Sequence, residues 1–138
     1  MASVETIETE KYLMRIDAAS AYMEYVIKPG VTMDIEDIVA AKAKVLALYG
    51  NLKFYVYSEG AEFFTLTKAA REMCASTDHL DNTIAIAFYT SNVSLFLLGD
   101  LYNKVNKPHV PTEFFMNRDN AREWLREQAK NNNHPCGF

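Results

Sequence analysis

Apolar side chains along this chain alternate, shift to helical spacing and alternate again, several times over. Tyr12, Met14 and Ile16 fall on one side while Arg15 and Asp17 fall on the other, the two-residue period of a half-buried strand. After the small and polar stretch Ala18 to Ser20, Met23, Tyr25 and Ile27 alternate with Tyr22, Glu24 and Lys28. Two such runs joined by a few residues predict an antiparallel hairpin, although Ala18, Ala19 and Ala21 also favour helix. Pro29-Gly30 closes the second strand. Ahead of the hairpin, Met1 to Glu10 is acidic and polar and reads as a short lead-in that frays.

Helical spacing takes over at Ile35, Ile38, Val39, Val45, Leu46 and Tyr49. Thr32 or Asp34 can cap this helix, because a side-chain oxygen there accepts from amides that the first turn leaves unpaired. Asp34, Glu36 and Asp37 set negative charge at the positive end of the helix dipole, and Gly50 fits a left-handed stop. Leu52 to Tyr57 reads as a strand with Leu52, Phe54 and Val56 on one face. A loop with Gly60 leads to Thr65-Leu66-Thr67 and a short helix carrying Ala69, Ala70, Met73 and Cys74.

The strongest strand runs from Thr83 to Tyr89 and is apolar on both faces, as for a strand covered from two sides. Ala85 and Ala87 leave room for a helix to come close on one of them. Ser91 or Asn92 caps a third helix with Leu97, Leu98, Leu101, Tyr102 and Val105 expected inward, and Lys107-Pro108 stops it. Thr112 to Met116 is a short strand, and Asn117 caps a last helix with Ala121, Trp124 and Leu125 expected in the core. Asn131 to Phe138 reads as a polar, mobile tail. The predicted order is ββαβαβαβα, an α/β fold whose mixed sheet begins with an antiparallel hairpin and continues through helical crossovers.

Composition narrows the function. At 138 residues, 49% apolar and 23% charged, the chain is expected to form one globular domain, its structured core spanning about 12–128. Apolar runs such as Ile84 to Tyr89 fall far short of the ~18 residues of a membrane span. A net charge of −4 and a pI near 5.3 argue against nucleic acid, which needs a clustered basic footprint. With no basic segment followed by an apolar one at the start, a cytoplasmic protein is expected.

Candidate chemistry is sparse. Cys74 and Cys136 lie too far apart in sequence to form a metal motif, and two cysteines make no disulfide framework. Asp78-His79-Leu80-Asp81 sets two carboxylates around an imidazole, a donor set for a metal but also an ordinary turn composition. His134-Pro-Cys136 could join it only by folding back, and His109 has no partner by sequence. Glu59 and Glu62 flank Gly60 in one loop, which is not the rigid placement that paired glycosidase carboxylates require. Asn92-Val-Ser94 is a formal glycosylation sequon without an export signal. Serine-hydrolase, nucleotide and dinucleotide motifs are absent. No catalytic residue, metal site or cofactor is therefore expected. Phe63-Phe64 stands apart from the other aromatics: it sits in a loop before a capped helix, where an exposed ring would mark a partner surface or the mouth of an apolar pocket.

The second half carries a resemblance. Tyr89-Thr-Ser-Asn-Val-Ser-Leu-Phe-Leu-Leu-Gly-Asp-Leu-Tyr-Asn-Lys-Val-Asn-Lys-Pro108, then Pro111-Thr-Glu-Phe-Phe115 and Ala121-Arg-Glu-Trp-Leu125, resembles a bacterial group of small STAS-like proteins. That group is similar to the anti-sigma-factor antagonists and to the STAS portion of sulfate transporters, and its fold is compared with CRAL-TRIO lipid-binding domains. The resemblance spans roughly Tyr12 to Gln128 and implies a mixed sheet with helices largely on one face. In the antagonists a kinase modifies a Ser or Thr at the start of the helix after the third strand, and the matching segment here places Thr67 or Thr65 near that position. This chain has no Asp beside those threonines and no Gly after them, and a threonine that simply caps its helix fits the same place.

Two expectations follow. The first is a non-enzymatic regulatory module that docks a protein partner through Phe63, Phe64, Thr67 and Arg71. The alternative is a carrier for a lipid-like or other apolar molecule, held between the sheet and the helices at Ile35 to Tyr49 and Val93 to Val105. A homodimer is compatible with either.

Overall fold

The computed structural model describes residues 4–60, 63–75, 82–105, 109–134 and 137–138. Three antiparallel strands come first: β1 (Val4–Glu8), β2 (Tyr12–Asp17) and β3 (Tyr22–Ile27). The alternation read from the sequence sets the face, since Tyr12, Met14, Ile16, Met23 and Ile27 are all buried. Asp17 accepts the Ser20 amide in the connecting turn, which diverts Ala18 to Ala21 from helix. β1 replaces the fraying segment that the sequence suggested. Val4, Thr6 and Ile7 are β-branched, and pairing with β2 brings Ile7 against the core.

After β4 (Thr32–Met33) the chain continues as α1 (Ile35–Tyr49), β5 (Phe54–Gly60), β6 (Thr65–Leu66), α2 (Lys68–Ala75), β7 (Thr83–Tyr89), α3 (Val93–Val105), β8 (Thr112–Phe115) and α4 (Arg118–Asn131). The main sheet runs β1-β2-β3-β5-β7-β8, and its last four strands are parallel. The two-residue strands β4 and β6 pair separately, Thr32 opposite Thr65 and Met33 opposite Leu66.

This strand order decides where the helices go. From β3 to β5, β7 and β8 the chain always steps in one direction, and a parallel crossover is almost always right-handed. Three equal steps of one hand put α1, α2 and α3 on the same face. Phe54 and Val56 of β5 point to that side, into the core with Met14, Ile38, Val45 and Ala70. Only α4 follows the last strand, and it covers the opposite face. There Ala121, Leu125 and Ala129 meet Tyr55, Tyr57, Ala85 and Ala87, the small residues that admit a close helix.

The cover on the three-helix face is uneven. α1 has 15 residues and α2 only eight, so α2 spans about 12 Å against about 22 Å for α1. α3 lies against β8, where Gly99 seats directly on the Phe114 ring, in a space that a Cβ would occupy. The inward leucines expected of α3 are not found: Leu97, Leu98, Leu101 and Val105 are 60, 58, 54 and 68% exposed. The helix is amphipathic, but the short α2 gives its apolar stripe nothing to pack against.

The expected mobile tail is also replaced by contacts. Asn131 completes α4, Phe138 stacks on Tyr22 with ring centroids 4.4 Å apart, and Arg126 Nε donates to the Phe138 carbonyl at 2.7 Å. His134 and Asn132 both bond the Tyr55 hydroxyl. The two tyrosines form an aromatic platform beside α4 that composition alone does not reveal.

The close approach of α4 is testable. Ala87→Leu forces side-chain volume into a fully buried contact and should cost about 1–3 kcal/mol in equilibrium denaturation. A variant as stable as the parent would show that α4 does not press on β7.

Candidate functional site

Between the sheet and its three helices lies a cavity of about 660 Å³. Its floor is Val56, Ser58, Ile86, Phe88, Thr112 and Phe114 from β5, β7 and β8. One end is closed by Met14, Met23, Tyr25 and Ile27 of the hairpin and by Ile38, Ala41 and Val45 of α1. The opposite wall is Leu95, Leu98, Leu101, Tyr102 and Val105 of α3. Since Leu98, Leu101 and Val105 are exposed, the mouth lies along α3, facing Lys68, Arg71 and Glu72 of α2. Lys68 and Glu72 form a long ion pair of 3.9 Å there, while an Arg71 Nη donates to the Leu66 carbonyl at 2.7 Å. Inside, burial pushes the Cys74 thiol up to about 12, so it is uncharged.

The residues singled out before α2 divide between wall and rim. Phe63 is 70% exposed, whereas Phe64 is half-buried and its ring packs over Gly60 and toward Phe88. Gly60 is needed there because a Cβ would strike both rings. Phe64 and Thr65 line the large cavity and also a shallower cleft of about 340 Å³ with Gly30, Thr32, Phe63 and Asn92. Structure thus gathers Phe64, Thr65 and Arg71 at the cavity and leaves Phe63 on the adjoining cleft.

Thr67 is a helix cap, and it joins a larger arrangement. Its hydroxyl accepts the Ala70 amide at 3.2 Å and donates to Asp34 Oδ1 at 2.8 Å. Asp34 is itself the cap of α1, where its carboxylate accepts the Ile35 amide and Asp37 completes a reciprocal capping box. Lys11 then bonds Asp37 at 2.8 Å. The parallel β4–β6 ladder brings the two helix starts side by side, so one cap hydrogen-bonds the other. Amide donation from Ile35, then the Thr67 hydroxyl, holds Asp34 below the usual carboxylate range; the Lys11 bond does the same for Asp37.

The remaining candidates lie elsewhere. On the α4 face, burial would raise the Glu59 carboxyl, but Arg118 and the Tyr57 hydroxyl hold it low. Arg118 and Arg122 stack on Tyr89 and Tyr57 at 4.6 Å, and Arg122 reaches Glu24 at 3.3 Å. Glu59 is committed to that network. His109 is exposed. Glu62, the Asp78-to-Asp81 segment, Lys107-Pro108 and Cys136 fall outside the described residues. Among the described residues no group of three or more His, Cys, Asp or Glu side chains could hold a metal, and no helix is long and apolar enough to cross a membrane.

A family model described as "Domain of unknown function (DUF7793)" matches residues 21–129. No curated protein matches the sequence. A solved structure does: an uncharacterized protein of the DUF3478 family with a SpoIIAA-like fold, from Shewanella loihica PV-4. It superposes with a TM-score of 0.58 at 11% identity, over 89% of this chain and 92% of that one. The likeness shows the fold, a SpoIIAA-like mixed α/β sheet, in agreement with the STAS-like resemblance read from the sequence.

The linked caps carry two expectations. Thr67→Val keeps the shape but loses both bonds of the hydroxyl, and should cost about 0.5–2 kcal/mol by denaturant titration. Asp34 and Asp37 have depressed values in the folded state, so their contribution is complete above the unfolded value of about 3.9 and is lost as pH falls through the folded values. Thermal midpoints taken from pH 6 to about pH 2.5 should therefore fall less steeply in Asp34→Asn than in the parent. Parallel curves would show that the capping carboxylate adds nothing.

Proposed function

The chain belongs to the DUF7793 family, and for this member we propose a non-catalytic function: binding an apolar small molecule in the cavity between the sheet and α1, α2 and α3. The observation that carries this reading is the cavity itself. Protein interiors pack like molecular crystals and keep few voids larger than a water, whereas ligand sites enclose ~300–1,000 Å³ lined mostly by apolar groups. At about 660 Å³, with methionine, isoleucine, leucine and phenylalanine on most sides, the space has the size and chemistry of a binding site. Three of its charged side chains, Lys68, Arg71 and Glu72, stand at the mouth on α2, and Lys42, Ser58, Thr65, Asn82, Thr83 and Thr112 add scattered polar groups elsewhere on the wall.

A second reading is the regulatory module that docks a protein partner through Phe63, Phe64, Thr67 and Arg71, with Thr67 or Thr65 open to phosphorylation. Phe63 favours it, as a largely exposed ring on the shallower cleft. A phosphoryl group on Thr67 would break its bond to Asp34 and set a dianion against that carboxylate, loosening both helix starts.

Native mass spectrometry on gently purified protein, followed by denaturing intact mass, separates the two. The first reading expects an adduct of a few hundred daltons that disappears on denaturation; the second expects a persistent phosphoryl increment. In titrations with Nile red, an uncharged apolar fluorophore, the parent should bind at one saturable site. Val56→Trp, which puts an indole into the floor, should weaken that binding by roughly tenfold, about 1.4 kcal/mol. Absence of saturable Nile red binding to the parent would sink the cavity reading.

A further inference from the structure

The deep end of the cavity holds one group that an apolar pocket does not need. Tyr25 lines it from β3, with its ring stacked on Tyr12 at a centroid distance of 5.0 Å. Its hydroxyl is buried and has no hydrogen-bond partner among the described residues. The Tyr49 hydroxyl and Asn103 Oδ1 share that condition, but neither residue lines the cavity. A phenol proton without an acceptor is an exception that folded proteins rarely keep, and phenylalanine would fill the same volume without it.

The surroundings limit what could accept that proton. Beside burial, the groups that act on Tyr25 are Tyr12, Cys74 and Asp37, and each raises its pKa; none is a cation. Of the cations that line the cavity, Lys68 and Arg71 belong to α2 at the mouth and Lys42 to α1, and none of the three is among the groups that act on the Tyr25 hydroxyl. An anion bonded to the Tyr25 hydroxyl would therefore share its surroundings with the Asp37 carboxylate and with no cation among those groups, an unfavourable burial. An uncharged oxygen meets no such penalty. A carbonyl or ether oxygen accepts from the phenol and leaves no donor of its own unpaired.

Resting on the cavity reading above, we propose that the ligand is a long apolar molecule bearing an uncharged oxygen, a ketone or ester carbonyl in particular, and that it binds oxygen-end inward with the Tyr25 hydroxyl donating to that oxygen. The apolar chain then lies over Val56, Ile86 and Phe88 and leaves past the leucines of α3. A ligand of this kind enters with its weakly solvated head first, and its tail meets the apolar, α3 side of the mouth.

The experiment is competition against Nile red by 2-decanone, decane and decanoate, on the parent and on Tyr25→Phe. The expected result is that 2-decanone binds the parent more tightly than decane does. Tyr25→Phe should lose about tenfold for the ketone, about 1.4 kcal/mol, and bind decane unchanged. Equal ketone affinity in parent and variant, with decane still binding, would overturn the role of Tyr25 and leave the cavity reading standing. Failure of both decane and 2-decanone to compete would remove the cavity reading and this one with it. Decanoate binding more tightly than the ketone in a Tyr25-dependent way would overturn the uncharged head group. Infrared difference spectra of carbonyl-labelled 2-decanone bound to the parent protect the test against a variant that does not fold: a phenol bond lowers the carbonyl stretching frequency, and an unshifted band refutes the proposal.

Discussion

Right-handed crossovers taken three times in one direction leave their helices on one side of a sheet, and in this protein those helices are unequal. A long α1 seals the hairpin end, a two-turn α2 stops short, and α3 is moored to β8 through Gly99 and Phe114. The cavity is the gap that this sequence of lengths leaves behind. Its floor is a run of large side chains on parallel strands, its closed end is the N-terminal hairpin, and its mouth falls where α2 and α3 fail to meet. The linked caps Asp34 and Thr67 fix where α1 and α2 begin, so they also set one boundary of that gap.

The opposite face shows the alternative outcome. There a single helix packs closely on alanines of β7, while arginines from its flank sit over the rings of Tyr57 and Tyr89 and reach carboxylates on β3 and β5. Those ion pairs are partly exposed, so each contributes little alone. Their role is positional, because a guanidinium stacked on one ring and bonded to a neighbouring carboxylate permits few registers of α4. One sheet thus carries a closed face and an open one, and the difference comes from the helices that cover them.

Much of this was legible in the chain. Period-two alternation from Tyr12 to Ile27 marks the hairpin and its buried face; Asp34 and Asn117 mark helix starts; Ala85 and Ala87 mark where a helix comes close. These signals are local, or concern one face of one element. What was not legible depends on pairs of elements. Helical spacing identifies the apolar stripe on α3 but not whether anything lies against it, so Leu97 and Leu101 read as core and stand in solvent. The bond between Thr67 and Asp34 joins residues 33 positions apart through a two-residue ladder too short to leave a pattern. Tyr25 looks like any inward residue of a strand, and only the unfilled space beside it gives its hydroxyl a meaning.

The α3 stripe also has a colloidal side. Leu97, Leu98, Leu101 and Val105 put four large apolar side chains on one helix in contact with water, a surface that attracts its like. What opposes that attraction between copies is a modest net charge of −4, and it vanishes near the pI of about 5.3. Added salt screens the same repulsion without touching the stripe. The protein is therefore dispersed by charge and not by a polar coat at this helix. Resistance to self-association at this helix is then set by pH and ionic strength together and is weakest near pH 5.3, while a molecule that draws these leucines over the cavity mouth would protect it under the same conditions.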